Sequence, residues 1–257
     1  NVHDCAGICD GDALEDNCGF CDNNSENDCI QDCTGIWGGN SYELNEICII
    51  IDIDGNEYET IQIGNQLWMS ENLKVTHYNN GDDIPTELDN ATWSTTYEGA
   101  YAVYDDDLAN AEIYGNLYNW YAVDDSRLVC PEGWHVPTDE EWTVLTDYLG
   151  GESVAGGKMK EAGLEHWTSP NTGATNESGF NGLPSGSRNY NNGNYSNIGY
   201  GGYFSSSSES SSSSAWFRTL GYGYSSVGRN YYSKQDGFSV RCLEDEVTTG
   251  CTDPSAI

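Results

Sequence analysis

Seven of the ten cysteines fall within the first 48 residues, a stretch with eleven acidic residues and no lysine or arginine. A segment so poor in apolar side chains cannot close a core of its own and depends on covalent or metal cross-links. No zinc-type Cys/His spacing accompanies these cysteines. Clustered cysteines of this kind point to disulfides and an oxidising compartment. The whole chain has 257 residues, enough for one sizeable core and a small accessory region. Its 42 acids against 9 bases give a formal charge of −33. Such a chain repels nucleic acid and anionic lipid, and attracts hard cations such as Ca²⁺. No apolar run approaches a membrane span, so no membrane insertion is expected. The chain starts Asn1-Val2-His3 with neither Met nor a signal peptide, which reads as a piece of a longer, processed protein.

The cysteine-rich stretch repeats itself. Asp4-Cys5-Ala6-Gly7-Ile8-Cys9-Asp10-Gly11 returns as Asp32-Cys33-Thr34-Gly35-Ile36-Trp37-Gly38-Gly39. Cys18 and Cys21 follow the first copy, and Cys48 alone follows the second, aligned with Cys21. Cys9 and Cys18 are therefore lost together, which suggests the pairs Cys9–Cys18, Cys5–Cys21 and Cys33–Cys48, although spacing alone does not fix connectivity. Cys29 is left over.

Between the copies lie Asp10, Asp12, Asp16, Asp22, Asn24, Glu26 and Asp28. Closely spaced carboxylate and amide oxygens with glycine turns suit the six to eight oxygen ligands of Ca²⁺. The segment resembles the acidic cysteine repeats of thrombospondin type 3, which implies a structural Ca²⁺ role for these residues.

From Ile49 the character changes. Ile49–Ile53, the turn Asp54-Gly55-Asn56 and Tyr58–Ile63 read as a hairpin, in preference to a metal loop built on Asp52 and Asp54. Thr138-Asp139-Glu140-Glu141 is a capping box, and Trp142, Leu145 and Leu149 follow at helical spacing before Gly150-Gly151. A shorter helix is expected over Glu71–Val75. Ser205 to Ser214 is nine serines interrupted by Glu209, a composition typical of linkers, yet strand-like runs follow at 215–220 and 237–242. Trp216, Arg218, Leu220 and Tyr222 alternate with Phe217, Thr219, Gly221 and Gly223, and Val227 and Arg229 alternate with Gly228 and Asn230.

Five segments are recognisable in order: Ile63–Leu73 (IGNQLWMSENL), Tyr114–Val123 (YGNLYNWYAV), Cys130–Thr138 (CPEGWHVPT), Asn176–Phe180 (NESGF) and Gly237–Cys242 (GFSVRC). Together they resemble the Fibrobacter succinogenes major paralogous domain over about 49–245. That family is similar to the formylglycine-generating-enzyme/C-type-lectin superfamily. The resemblance implies an α+β, C-type-lectin-like domain with a small twisted antiparallel sheet, one or two helices and long ordered loops. The expected organisation is an acidic Cys-rich region at 1–48, this domain at 49–246, and a linker at 247–257 carrying Cys251 at the start of a further cysteine repeat. Trp134–Trp142 resembles the superfamily's strand-to-helix passage and Phe238–Cys242 its closing strand. Cys130 and Cys242 sit at those places and are paired on that basis.

Formylglycine-generating enzymes use a reactive cysteine pair, but the two cysteines available here hold structural positions. His3, His77, His135 and His166 show no close pairing, and no nucleophile elbow or phosphate loop is present. No enzyme activity is expected. The sugar-site tripeptides of classical lectins, Glu-Pro-Asn or Gln-Pro-Asp followed by Trp-Asn-Asp, are absent. Residues 189–235 consist largely of Tyr, Ser, Gly and Asn, the vocabulary of adaptable binding surfaces. In some relatives of this fold retroelements diversify this region. The expected function is a non-catalytic extracellular or bacterial cell-surface binding and adhesion module. Its candidate contacts are Tyr200, Tyr203, Phe217, Tyr222, Tyr224, Asn230, Tyr231 and Tyr232, with Trp216, Arg218, Leu220, Val227 and Arg229 as scaffold. The partner would be a protein or glycan on another surface. The alternative is a structural subunit of an extracellular fibre or surface layer, with copies of itself as partners. Asn23, Asn90, Asn176 and Asn194 lie in sequons that permit glycosylation.

Overall fold

The computed structural model describes residues 14–15, 21–22, 33, 41–44 and 47–245. The pairs Cys5–Cys21 and Cys9–Cys18, the cysteines Cys29 and Cys251, and His3 and Asn23 lie outside the described residues. So do the candidate Ca²⁺ ligands Asp10, Asp12, Asp16, Asn24, Glu26 and Asp28 and the side chain of Asp22.

The first described strands are β1 (Leu14–Glu15) and β2 (Cys21–Asp22), which pair. A meander of successive antiparallel strands follows: β3 (Tyr42–Leu44), β4 (Ile47–Ile51), β5 (Glu57–Ile63) and β6 (Gln66–Met69). Short elements come next: α1 (Asn90–Thr95), β7 (Tyr101–Ala102), α2 (Leu108–Tyr114), β8 (Leu117–Tyr118), α3 (Trp120–Val123) and β9 (Trp134–His135). Helices α4 (Asp139–Tyr148) and α5 (Glu152–Met159) lead into β10 (Ser185–Arg188) and β11 (Tyr195–Ile198). The long β12 (Gly201–Ser211), β13 (Ser214–Gly221) and β14 (Val227–Ser233) precede the short β15 (Phe238–Ser239) and β16 (Leu243–Glu244). The class is mixed α+β, mostly sheet with few helices.

Two larger sheets organise these strands. One runs β3-β4-β5-β6-β16-β9, so the closing strand wedges between β6 and β9, with Leu243 opposite both Trp68 and His135. The other has β12 at its centre: β13 then β14 on one edge, β10 and β15 on the other, extended to β11 and to β8 and β7. The disulfide Cys130–Cys242, with an S–S length of 2.04 Å, ties the segment before β9 to the residue before β16. Cys33–Cys48 is also formed and anchors residue 33 to β4.

The 49–63 segment is a hairpin. Asp52 accepts hydrogen bonds from the amides of Asp54 and Asn56, the Asn56 side chain and the Tyr58 hydroxyl, all at 2.7–2.9 Å. Its sheet starts upstream of the expected boundary, at Tyr42. Thr138 caps α4 in the expected capping box with Glu141. The helix expected over Glu71–Val75 does not form. Leu73 and Val75 are buried at a spacing of two, and the Leu73 amide donates to Val240 O at 2.9 Å, so this stretch is extended along the last strand-like segment. Among the described residues five α-helices and a 3-10 turn at Tyr104–Asp106 replace the expected one or two helices, because tertiary packing supports short turns that have no sequence periodicity.

The serine run is a strand, not a linker. Ser205 and Ser206 are buried, and their carbonyls accept the indole N–H groups of Trp142 and Trp120, each at 3.1 Å. Small side chains let two tryptophans approach the backbone that closely. Trp142 continues into a cluster with Trp68, Phe180 and Phe204, with ring centroids 4.8–5.9 Å apart.

Five of the nine cations are buried: Lys160, Arg188, Arg218, Lys234 and Arg241. Lys160 donates to the carbonyls of Thr172, Gly221 and Tyr224 at 2.8–3.0 Å, and Arg241 to Asn72 Oδ1 and the carbonyls of Met69 and Phe180. The other four, Lys74, Arg127, Lys158 and Arg229, each pair with a carboxylate. The chain's few positive charges thus serve its interior and its own acids.

Candidate ligand-binding face

Residues directly opposite one another in a ladder share a face. Tyr203 is opposite Thr219, Phe217 opposite both Ser205 and Asn230, and Tyr232 opposite Ala215. Tyr203, Phe217, Thr219, Asn230 and Tyr232 therefore share one face of β12–β13–β14. Phe217 is 1% exposed. It stacks on Phe238 at 4.7 Å and lies beside Tyr203 and Tyr232 at 6.2 and 5.4 Å. Tyr203 in turn stacks on Phe238 with an interplanar angle of 13°. Phe217 is thus the floor of this surface and not a contact residue, because its neighbours' rings cover it. Above that floor Tyr232 is 51% exposed, Tyr203 is half-buried and Asn230 is exposed. Asn197, in a left-handed turn at φ 67°, donates its side-chain amide to the Tyr203 hydroxyl at 2.9 Å. Gly228 keeps the surface flat: a Cβ there would lie 2.3 Å from Thr219 Oγ1.

The remaining candidates separate into two groups. Tyr200 and Tyr222 meet edge to face at 5.3 Å beside the 69%-exposed Tyr224. Lys160 fixes this turn through the Gly221 and Tyr224 carbonyls. Tyr231 lies on the opposite face of the sheet, where it meets Trp216 edge to face at 5.5 Å, and the Arg229 guanidinium lies 4.1 Å above the same indole. Tyr231 and Tyr232 are both expected contacts, but the period of two places their side chains on opposite faces. Arg218, Leu220 and Val227 are buried scaffold; Trp216 is half-buried and Arg229 partly exposed.

That inner face is clamped to α4. Arg218 and Arg229 both engage Asp139, the first residue of the helix, with closest contacts of 2.6 Å. Burial raises the Asp139 pKa, but hydrogen bonds from Arg229 and Arg218 outweigh it and hold the carboxyl below its ordinary value. The aromatic face therefore rests on a sheet fixed from behind by a charged three-residue clamp.

Clefts of about 390, 410 and 360 Å³ lie elsewhere, and none is lined by the candidate tyrosines. The last of them is lined in part by Glu161 and His166. With Glu165 these residues form a group of metal-ligating side chains whose ligand atoms lie within 4.8 Å of one another. The sequence reading missed it; its signal was two glutamates and a histidine within six residues. Three histidines have carboxylate partners: His77 contacts Asp54 and Asp83, His135 contacts Glu141 and Asp245, and His166 contacts Glu161. Asn90 and Asn194, from two sequons, hydrogen-bond each other at 2.8 Å. No helix among the described residues is long and apolar enough to cross a membrane.

Fold and face together define a disulfide-bonded α+β domain whose central sheet carries an aromatic, amide-edged surface. The family model described as the Fibrobacter succinogenes major domain matches residues 61–244, and the chain belongs to that family. No curated protein and no solved structure matches it.

Proposed function

We propose that this chain is a non-catalytic binding and adhesion module and that the outer face of β12–β14 makes its contacts. The observation that carries this reading is that Tyr203 and Tyr232 each pack on a buried Phe217–Phe238 floor from the same face of the sheet, with the Asn197 and Asn230 amides on that side. Rigid aromatic planes edged by amides suit sugar rings and peptide side chains alike. Because every described cation is buried or paired, an anionic ligand or nucleic acid meets only repulsion. The partner class is therefore a neutral glycan or a neutral-to-basic protein on another surface.

The disulfides favour an extracellular or bacterial cell-surface location. The strand-to-helix passage Trp134–Trp142 and the closing strand keep a C-type-lectin-like ancestry as our reading of the fold. Structural Ca²⁺ in the thrombospondin-type-3-like acidic region belongs to the same proposal. Chelation should lower the melting temperature by several degrees, and an unchanged temperature removes the Ca²⁺.

The test of the face uses arrays of neutral polysaccharides and of surface proteins, probed with the full chain and with Tyr203→Ala and Tyr232→Ala. A loss of at least about tenfold in affinity is expected, since exposed aromatic anchors dominate such contacts. Binding that survives both substitutions places the contact elsewhere. One observation favours the fibre alternative: among the described residues β14 has no strand partner besides β13, and an edge strand is where a second copy could add a strand. Concentration-dependent assembly in sedimentation would favour it.

A further inference from the structure

We propose that Glu161, Glu165 and His166 bind a divalent transition-metal ion of the Zn²⁺ type at the rim of the 360 Å³ cleft. The donor set is two carboxylates and an imidazole, with ligand atoms within 4.8 Å of one another. An imidazole in the set selects against Ca²⁺, which takes oxygen ligands, and suits Zn²⁺.

Three further observations separate this group from an ordinary patch of surface acids. Glu161 Oε2 is buried and has no hydrogen-bond partner, while its other oxygen lies 2.8 Å from His166 Nδ1. At Zn–N and Zn–O bonds of about 2.0–2.2 Å in a tetrahedral site, two donors on one ion stand roughly 3.3–3.6 Å apart, so this hydrogen-bonded pair need open by less than about 1 Å to share an ion. His166 also differs from the other described histidines. His77 and His135 have both ring nitrogens held by carboxylates, whereas the contact of His166 Nδ1 is to Glu161, itself a member of the donor set. Finally, the group is held in place. The Glu161 amide donates to Gly182 O and its carbonyl accepts from Asn171, while the His166 ring rests edge-on against Tyr114 at 5.7 Å. Glu165 is exposed and completes the set from solvent. Three protein donors leave further coordination positions of the ion to water or to a group entering the cleft.

The test is isothermal titration of the full, EDTA-stripped chain with ZnCl₂ and separately with CaCl₂, together with melting curves. Glu165→Gln and His166→Asn are titrated in parallel. The wild type should bind one Zn²⁺ more per chain than either variant, or bind it at least about tenfold more tightly, with a metal-dependent rise in melting temperature that the variants lack. Glu165 is exposed, so its variant should fold normally and keeps the test decisive if His166→Asn does not. Equal Zn²⁺ binding by Glu165→Gln and wild type, no Zn²⁺ binding at all, or Ca²⁺ binding of equal strength lost in the same variants would each overturn the proposal.

Discussion

At the scale of single residues, the Asp139 carboxylate joins a helix to two strands. It opens α4, where a negative charge is favoured, and it holds Arg218 and Arg229 on neighbouring strands. Replacing it by alanine leaves the buried Arg218 guanidinium uncompensated. Asp139→Ala should therefore lose about 3–5 kcal/mol in a urea titration, as breaking a buried pair does; a loss below about 1 kcal/mol would mean that the clamp is dispensable. The histidines set a pH window. The Asp54 hydrogen bond raises the His77 pKa, and for His135 the contacts with Glu141 and Asp245 outweigh the lowering effect of burial. Both values rise above 6.5, so their stabilisation is complete below pH 6.5 and is lost as pH climbs through the raised values. Burial raises Glu141, but hydrogen bonds from His135 and Thr138 outweigh it and bring it down from 4.5 to about 2. Its stabilisation is present above pH 4.5 and is lost as pH falls toward 2. The melting temperature should be highest between pH 4.5 and 6.5 and fall as pH climbs above 6.5; a steady rise above pH 6.5 would contradict these assignments.

At the scale of elements, α5 and the serine strand show propensity overridden by packing. Gly156 and Gly157 lie inside α5, where glycine costs about 1 kcal/mol each relative to alanine. A Cβ on Gly156 would stand 2.3 Å from Ser226 O, and one on Gly157 2.4 Å from Gly173 O. The glycines let α5 touch the loop before β14 and the turn at 173. Gly156→Ala should therefore destabilise by about 1–3 kcal/mol despite its better helix propensity. A stabilised variant would show that this contact is loose. The serine strand follows the same logic, because small side chains bring its carbonyls within reach of Trp120 and Trp142. Sequence reading saw low complexity there; what defines the strand is the pair of indoles waiting on the other side.

At the scale of the whole molecule, two ties join distant parts of the chain. Cys130–Cys242 closes a loop with a sequence separation of 112, and β16 lies between β6 and β9. Cross-linking a loop of that length is worth about 3–5 kcal/mol. Reduction under native conditions, or Cys130→Ala with Cys242→Ala, should lower stability by that order in a denaturant titration. An unchanged midpoint would assign closure to the strand pairing alone. The charge of −33 acts at this scale too. Its few compensating cations sit inside or on acids, so added salt should screen the remaining repulsion.

The sequence by itself determined the family segments, the Asp54–Asn56 hairpin and the capped start of α4; it suggested the Cys33–Cys48 pair from a repeat and the Cys130–Cys242 pair from a resemblance, and the structure forms both. These rest on local turn chemistry, on a period that can be counted, or on motifs whose order is legible. Only the tertiary structure decided that Phe217 is a floor, that Tyr231 and Tyr232 face opposite ways, and that Glu161, Glu165 and His166 converge. It also decided that Glu71–Val75 is extended and that the serine run is a strand. Each of these depends on what stands across from a residue, and strand register and helix contacts are set by partners tens of residues away. The clustered cysteines state the need for cross-links; in the described residues two disulfides are formed, and one closes the domain.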